Sequence, residues 1–87
     1  MPRRVLHIVR SIREPRARLL RAALADPAAT PTVLLIQDAL EAEPAWAAPT
    51  WVSAEDARAL GYAGPLPRME DAEILDLLFE CDGVITW

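Results

Sequence analysis

Apolar positions in this chain come in two rhythms. Residues 3–9, RRVLHIV, form a short run with β-branched members and no helical spacing, which predicts a buried strand. In EPRARLLRAALADP, Ala17, Leu20 and Leu24 share one face, with Arg16, Arg18 and Arg21 largely off it. That predicts a helix with Pro15 in its first turn, stopped by Asp26-Pro27. TVLLIQD, from residue 32, is the clearest strand: a continuous apolar run of the kind covered on both faces in a parallel sheet. ALEAEPAWAAP reads as a short helix or turn and then a Pro/Ala loop bracketed by Pro44 and Pro49.

The second half repeats the alternation. TWVSAEDARALGY predicts a strand and then a helix. Ser53 stands at the N-cap, Asp56 three residues on completes a capping-box pattern, and Gly61 fits the left-handed position past the helix end. AGPLPRM is loop with at most a very short strand. EDAEILDLLFEC is a helix with acids in its first turn, as the helix dipole favours, and GVITW is a last strand. In that helix Ile74, Leu77, Leu78 and Cys81 fall at i, i+3, i+4 and i+7, which turns all four toward the core. Strands alternating with helices predict an α/β fold: a small flavodoxin-like three-layer α/β/α domain with a mainly parallel sheet of four to five strands and right-handed crossovers. The 87 residues, 1–87, make a single domain without repeats or linkers.

Composition sharpens this in two ways. A chain of this size buries only roughly 60–65% of its unfolded surface, yet 53% of its residues are apolar, so part of the apolar surface is expected at an interface. One cysteine cannot form an internal disulfide, which points to a reducing compartment. The apolar run VLHIV is too short for a signal peptide, and no stretch approaches a membrane span. The expectation is a cytoplasmic protein with no membrane partner. All nine basic residues are arginine; seven lie in residues 1–21 against Glu14 alone, and two lie in residues 22–87 against twelve acids. The net charge of −4 disfavours direct nucleic-acid binding, and the arginine-rich segment reads first as a solvated helix face.

Candidate chemistry is sparse. Neither a glycine-rich dinucleotide loop nor a P-loop follows the first strand, so no cofactor is expected. In such a sheet ligands sit at the carboxyl ends of strands, here Arg10-Ser11, Gln37-Asp38, Ser53 and Met69-Glu70. His7, the only histidine, lies mid-strand and lacks companions for a metal site. It is read as a hydrogen-bonded packing residue, with a His7–Cys81 pair across adjacent strands as the reactive alternative. Asp38 is either a polar group at a pocket mouth or, preferred here, the N-cap of the next short helix. Trp46 and Trp51 flank the Pro/Ala loop and suit packing or a subunit contact better than stacking on a ligand. Cys81 sits near a helix C-terminus between Glu80 and Asp82. Burial, the negative end of the helix dipole and both acids oppose a thiolate, so no catalytic residue is assigned, with Cys81 the one weak candidate.

Four motifs in order resemble the TusB/DsrH branch of the DsrE/DsrF/DsrH-like sulfur-relay superfamily. They are Leu6-His7 in VLHIV, the apolar strand VLLIQD, the strand-helix TWVSAEDARALGY, and the aliphatic helix and short strand ending on tryptophan, ILDLLFECDGVITW. The chain departs from that pattern in having Asp38-Ala39 where Asp-Gly is usual, in its loop from Ala42 to Pro49, and in the short LPRM. It also has no cysteine in the first helix, where some members carry a sulfur acceptor; the aligned position is near Ala22. The resemblance implies a non-catalytic subunit partnered by TusC/TusD-like or DsrE/DsrF-like sister subunits. It would serve a relay for 2-thiolation of the tRNA wobble uridine or for sulfur metabolism. The alternatives are a stand-alone homo-oligomeric DsrE-like binding domain without sulfur transfer, and a sulfurtransferase using Cys81. The pocket or interface candidates are His7, Asp38, Trp46, Trp51 and Trp87.

Overall fold

The computed structural model describes residues 2–87. The chain runs β1 (Arg3–Val9), α1 (Arg16–Leu24), β2 (Ala29–Leu35), a 3₁₀ turn η1 (Gln37–Glu41), β3 (Thr50–Ser53), α2 (Ala54–Leu60), β4 (Arg68–Met69), α3 (Asp71–Glu80) and β5 (Gly83–Thr86). The five strands form one all-parallel sheet in the order β4-β3-β2-β1-β5. This is the small flavodoxin-like α/β architecture that the alternation of patterns predicts.

The strand order fixes the layers. Successive crossovers from β1 to β4 step in one direction, while the crossover from β4 to β5 returns across the whole sheet. With right-handed crossovers throughout, α1, η1 and α2 fall on one face and α3 alone on the other. The buried side chains divide accordingly, because neighbouring strand residues point to opposite faces. Val9, Val33, Leu35 and Val52 pack with Leu20, Leu40 and Ala57 on the first face. Leu6, Leu34 and Met69 pack with Ile74, Leu77 and Cys81 on the second. Continuous apolar runs in β1 and β2 are what burial on two faces demands.

Local signals account for most element ends. Ser53 Oγ accepts the Asp56 N–H at 3.3 Å and caps α2. The Asp56 carboxylate does not return to Ser53; it accepts the Gln37 N–H at 2.8 Å and so ties α2 to η1, where Gln37 adopts a left-handed φ of 52°. Gly61, at φ 66°, closes α2 in the left-handed conformation that glycine adopts without a Cβ penalty. The complete capping box is at α3: Glu70 and Glu73 exchange side-chain and backbone bonds. Glu70 also receives Arg58 at 3.0 Å, pinning the start of α3 to α2.

One expectation is corrected. Leu78 does not join the second core. Ile74, Leu77 and Cys81 do, while Leu78 is exposed along with Leu75 and Phe79. A ten-residue helix crossing a sheet presents one narrow row to it, and Leu78 lies on the flank of that row. No helix among the described residues is long and apolar enough to cross a membrane.

Leu35 is fully buried in the first core, so Leu35→Ala should cost about 2–5 kcal/mol. Ser53→Ala removes a cap only and should cost about 1 kcal/mol. Urea unfolding monitored by circular dichroism measures both, and equal losses would contradict this ranking.

Candidate functional site

Register brings the two ends of the chain together. β5 pairs with β1 so that Ile85 lies beside His7, and the ladder continues one step further: the Trp87 N–H donates to the Ile8 carbonyl at 2.8 Å. Trp87 therefore shares the α1 face with His7. Its indole Nε1–H donates to His7 Nδ1 at 3.0 Å, and the rings lie 6.1 Å apart between centroids with 23° between their planes. His7 is only 2% exposed.

The bond defines the state of the imidazole. Nδ1 accepts, so the ring is neutral and its proton sits on Nε2. Burial pushes the His7 pKa below the ordinary imidazole value, in the same direction. Among the described residues no side-chain nitrogen or oxygen is buried without a partner. His7 forms one wall of a cavity of about 310 Å³ bounded by Arg3, Ala23, Asp26 and Ile85. Arg3 and Asp26 were absent from the sequence-derived candidates. Asp26 signalled only a helix stop, and its carboxylate accepts the Ala28 N–H at 2.9 Å.

Asp38 is not the N-cap that its position suggested. Ile36 occupies the N-cap of η1, and Asp38 lies exposed in the first turn. A 3₁₀ turn beginning two residues earlier than an Asp38 cap would set takes the capping position away from it. It lines a polar cavity of about 370 Å³ with Ser11, Ile12, Arg13 and Glu41 at the carboxyl ends of β1 and β2. The cavity gathers the Asp38 and Glu41 carboxylates with Arg13 and the Ser11 hydroxyl.

The tryptophans beside the loop are separated by the sheet. Trp46 packs against the first core, and its Nε1–H donates to Thr50 Oγ1 at 2.8 Å, with the Thr50 hydroxyl passing on to the Ala48 carbonyl. It walls a cavity of about 500 Å³, opposite Leu24 and Arg21 of α1. Trp51 lies on the other face, half-buried against the second core. The two rings therefore cannot stack on one ligand.

Cys81 is the C-cap of α3 and is half-buried on the second core, less enclosed than the helix pattern implied. Burial raises its pKa first; Arg4 opposes the rise, and Glu80 and Asp82 add to it. The thiol therefore stays protonated near neutrality. His7 is on the opposite face of the sheet, which rules out a His7–Cys81 pair. Among the described residues no three His, Cys, Asp or Glu side chains gather in a metal-holding group.

No protein-family model matches this chain, and no curated protein matches it.

The buried neutral histidine links folding to pH. Its pKa is lower folded than unfolded, so its contribution is complete above the unfolded value and declines as pH falls through it, about 6.5 for a free imidazole. The melting temperature should therefore fall on acidification below that value, and His7→Gln, which cannot titrate, should flatten the dependence. Trp87→Phe leaves Nδ1 without its donor and should cost about 1–3 kcal/mol at neutral pH. Thermal melts across pH check all three.

Proposed function

We propose that the chain is a non-catalytic subunit of a sulfur-relay complex of the TusB/DsrH type. The observation that carries this reading is the His7–Trp87 pair. The histidine of the first strand and the tryptophan after the last are two residues on which the resemblance rests, and they meet as donor and acceptor in one buried contact. A shared role in fixing the closing strand explains why both belong to one pattern.

The chemistry of the chain supports a supporting role rather than a sulfur-carrying one. Helix α1 has no cysteine. The one thiol is held protonated by burial and by Glu80 and Asp82, and it sits at a helix C-terminus, the end that disfavours a thiolate. Acting by binding requires surface, and away from the β5 edge the chain also offers Leu19 of α1 and Leu60 of α2 to solvent. On this reading the persulfide belongs to a TusD-like or DsrE-like sister subunit. The chain contributes by holding that subunit in place, in a relay serving wobble-uridine 2-thiolation or sulfur metabolism in the cytoplasm.

Co-expression with TusC- and TusD-like subunits, followed by size-exclusion chromatography and mass spectrometry, tests this. The expected result is co-elution, with a gain of one sulfur on the sister subunit after incubation with a cysteine desulfurase and cysteine, and no gain on this chain. Separate elution would remove the heteromer. A sulfur gained by this chain and lost in Cys81→Ser would replace the reading with a sulfurtransferase.

A further inference from the structure

The two edges of the sheet are built differently. β4 is two residues long and follows Pro67, and its Arg68 folds back on Tyr62, donating to the carbonyl at 2.8 Å with the guanidinium 5.7 Å from the ring centroid. Shortness, a proline and an arginine are devices that blunt an edge against pairing. β5, with the sequence GVIT, has no proline and no charge.

Its backbone is set to pair outward. The Trp87 N–H donates to the Ile8 carbonyl, and the Trp87 carbonyl accepts the Arg10 N–H at 3.2 Å. In a parallel ladder the bonding residues alternate, so 83, 85 and 87 face β1. Val84 and Thr86 therefore turn both N–H and C=O away from the sheet. The side chains beside them are apolar and open: Val84 and Ile85 are each 43% exposed, and Phe79 is 82% exposed. α3 runs against the strand direction at about 100° per residue. With Ile74, Leu77 and Cys81 on the sheet, that rotation puts Leu78 and Leu75 on the flank nearer β5, with Phe79 beyond them.

We propose that this edge is an interface between two copies of the chain, with β5 pairing antiparallel to β5 about a two-fold axis normal to the sheet. The proposal does not depend on the sulfur-relay reading. The charges at the two ends of the strand select a reversed copy of itself. Asp82 immediately precedes β5 and is exposed; one carboxylate oxygen accepts the Arg4 N–H at 2.8 Å, which leaves the other for a cation. Arg10, bonded to the last rung at the other end, is also exposed and has no ion pair among the described residues. Antiparallel pairing brings Asp82 of each copy toward Arg10 of the other, whereas a parallel copy would set like charges together. Placing Val84 opposite Thr86 of the second copy uses every outward backbone group in two pairs, each exchanging both hydrogen bonds. The same axis lays the two α3 helices side by side on one face and covers Leu75 and Leu78. A two-fold contact of this kind is closed, so the sheet stops at the dimer.

Analytical ultracentrifugation of the purified chain alone over a dilution series should show a species of twice the 9.6 kDa monomer mass that dissociates on dilution. Thr86→Pro removes an outward N–H while leaving the bonds to β1 in place, and Val84→Lys sets a charge on the edge. Both should abolish the dimer and keep the wild-type circular dichroism spectrum. Hydrogen exchange on the wild type needs no variant: the Val84 and Thr86 amides should be protected at high concentration and exchange faster on dilution. A wild type that stays monomeric, a dimer that survives in the folded variants, or exchange at these amides that ignores concentration would each overturn the proposal. Self-association and binding of sister subunits are read in separate samples, so either can fail without the other.

Discussion

The fold depends on one reversal of direction. Four strands are laid down in sequence from β1 to β4, each beside the last, and then the chain crosses the full sheet to place β5 against β1. Because crossovers are right-handed, this single return decides which face each helix covers. Three elements share one face and one ten-residue helix serves the other. Unequal cover then explains the unequal cores. It also explains why no residue of α3 is fully buried, and why its flank and the strand beside it leave large apolar side chains in water.

The same constraint organises the chemistry. His7 and Cys81, the two side chains that a reader seeking a reactive pair would choose, lie on opposite faces of one sheet. The sheet also divides the loop residue Trp46, which packs on the first core, from Trp51, which sits in β3 and faces the second. What the sheet brings together is a donor and an acceptor rather than a nucleophile and a base. An imidazole held neutral by an indole N–H is a structural joint, and it joins β1, the strand next to the edge, to the residue that follows the edge strand β5.

Much of this was legible in the sequence because local signals and burial agreed. VLHIV and VLLI are apolar on both sides of the pleat, and the structure buries them on both. Ser53 and Gly61 mark the ends of α2 by chemistry that needs no tertiary context. Failures came where the outcome depends on a neighbour remote in sequence. A heptad-like row predicts which side chains share a helix face, but the width buried depends on the surface beneath, so Leu78 stays in water. The cap falls to Ile36 rather than Asp38 because η1 begins two residues early, at a Gln37 held in a left-handed conformation by Asp56 from another helix. The His7–Trp87 bond joins positions 80 apart, and no spacing rule could have found it. Arg3 and Asp26 entered the histidine cavity for the same reason: strand register and a helix end, not motif, brought them there.

The position of β1 also has a consequence for how the chain is made. Its first ladder, to β2, closes within some thirty positions, with Arg3 beside Ala29, but its second waits for residues 83–86. During synthesis β1 therefore emerges as a temporary edge with Leu6 and Ile8 facing an uncovered side, and it keeps that form until nearly all of the described chain has left the ribosome. Pairings of such long sequence separation are slow to find and leave strand edges open meanwhile. A nascent chain with this topology is thus most vulnerable to pairing with the wrong strand while its own last strand is still unmade, and the strand that finally seals it is the one it leaves least covered afterwards.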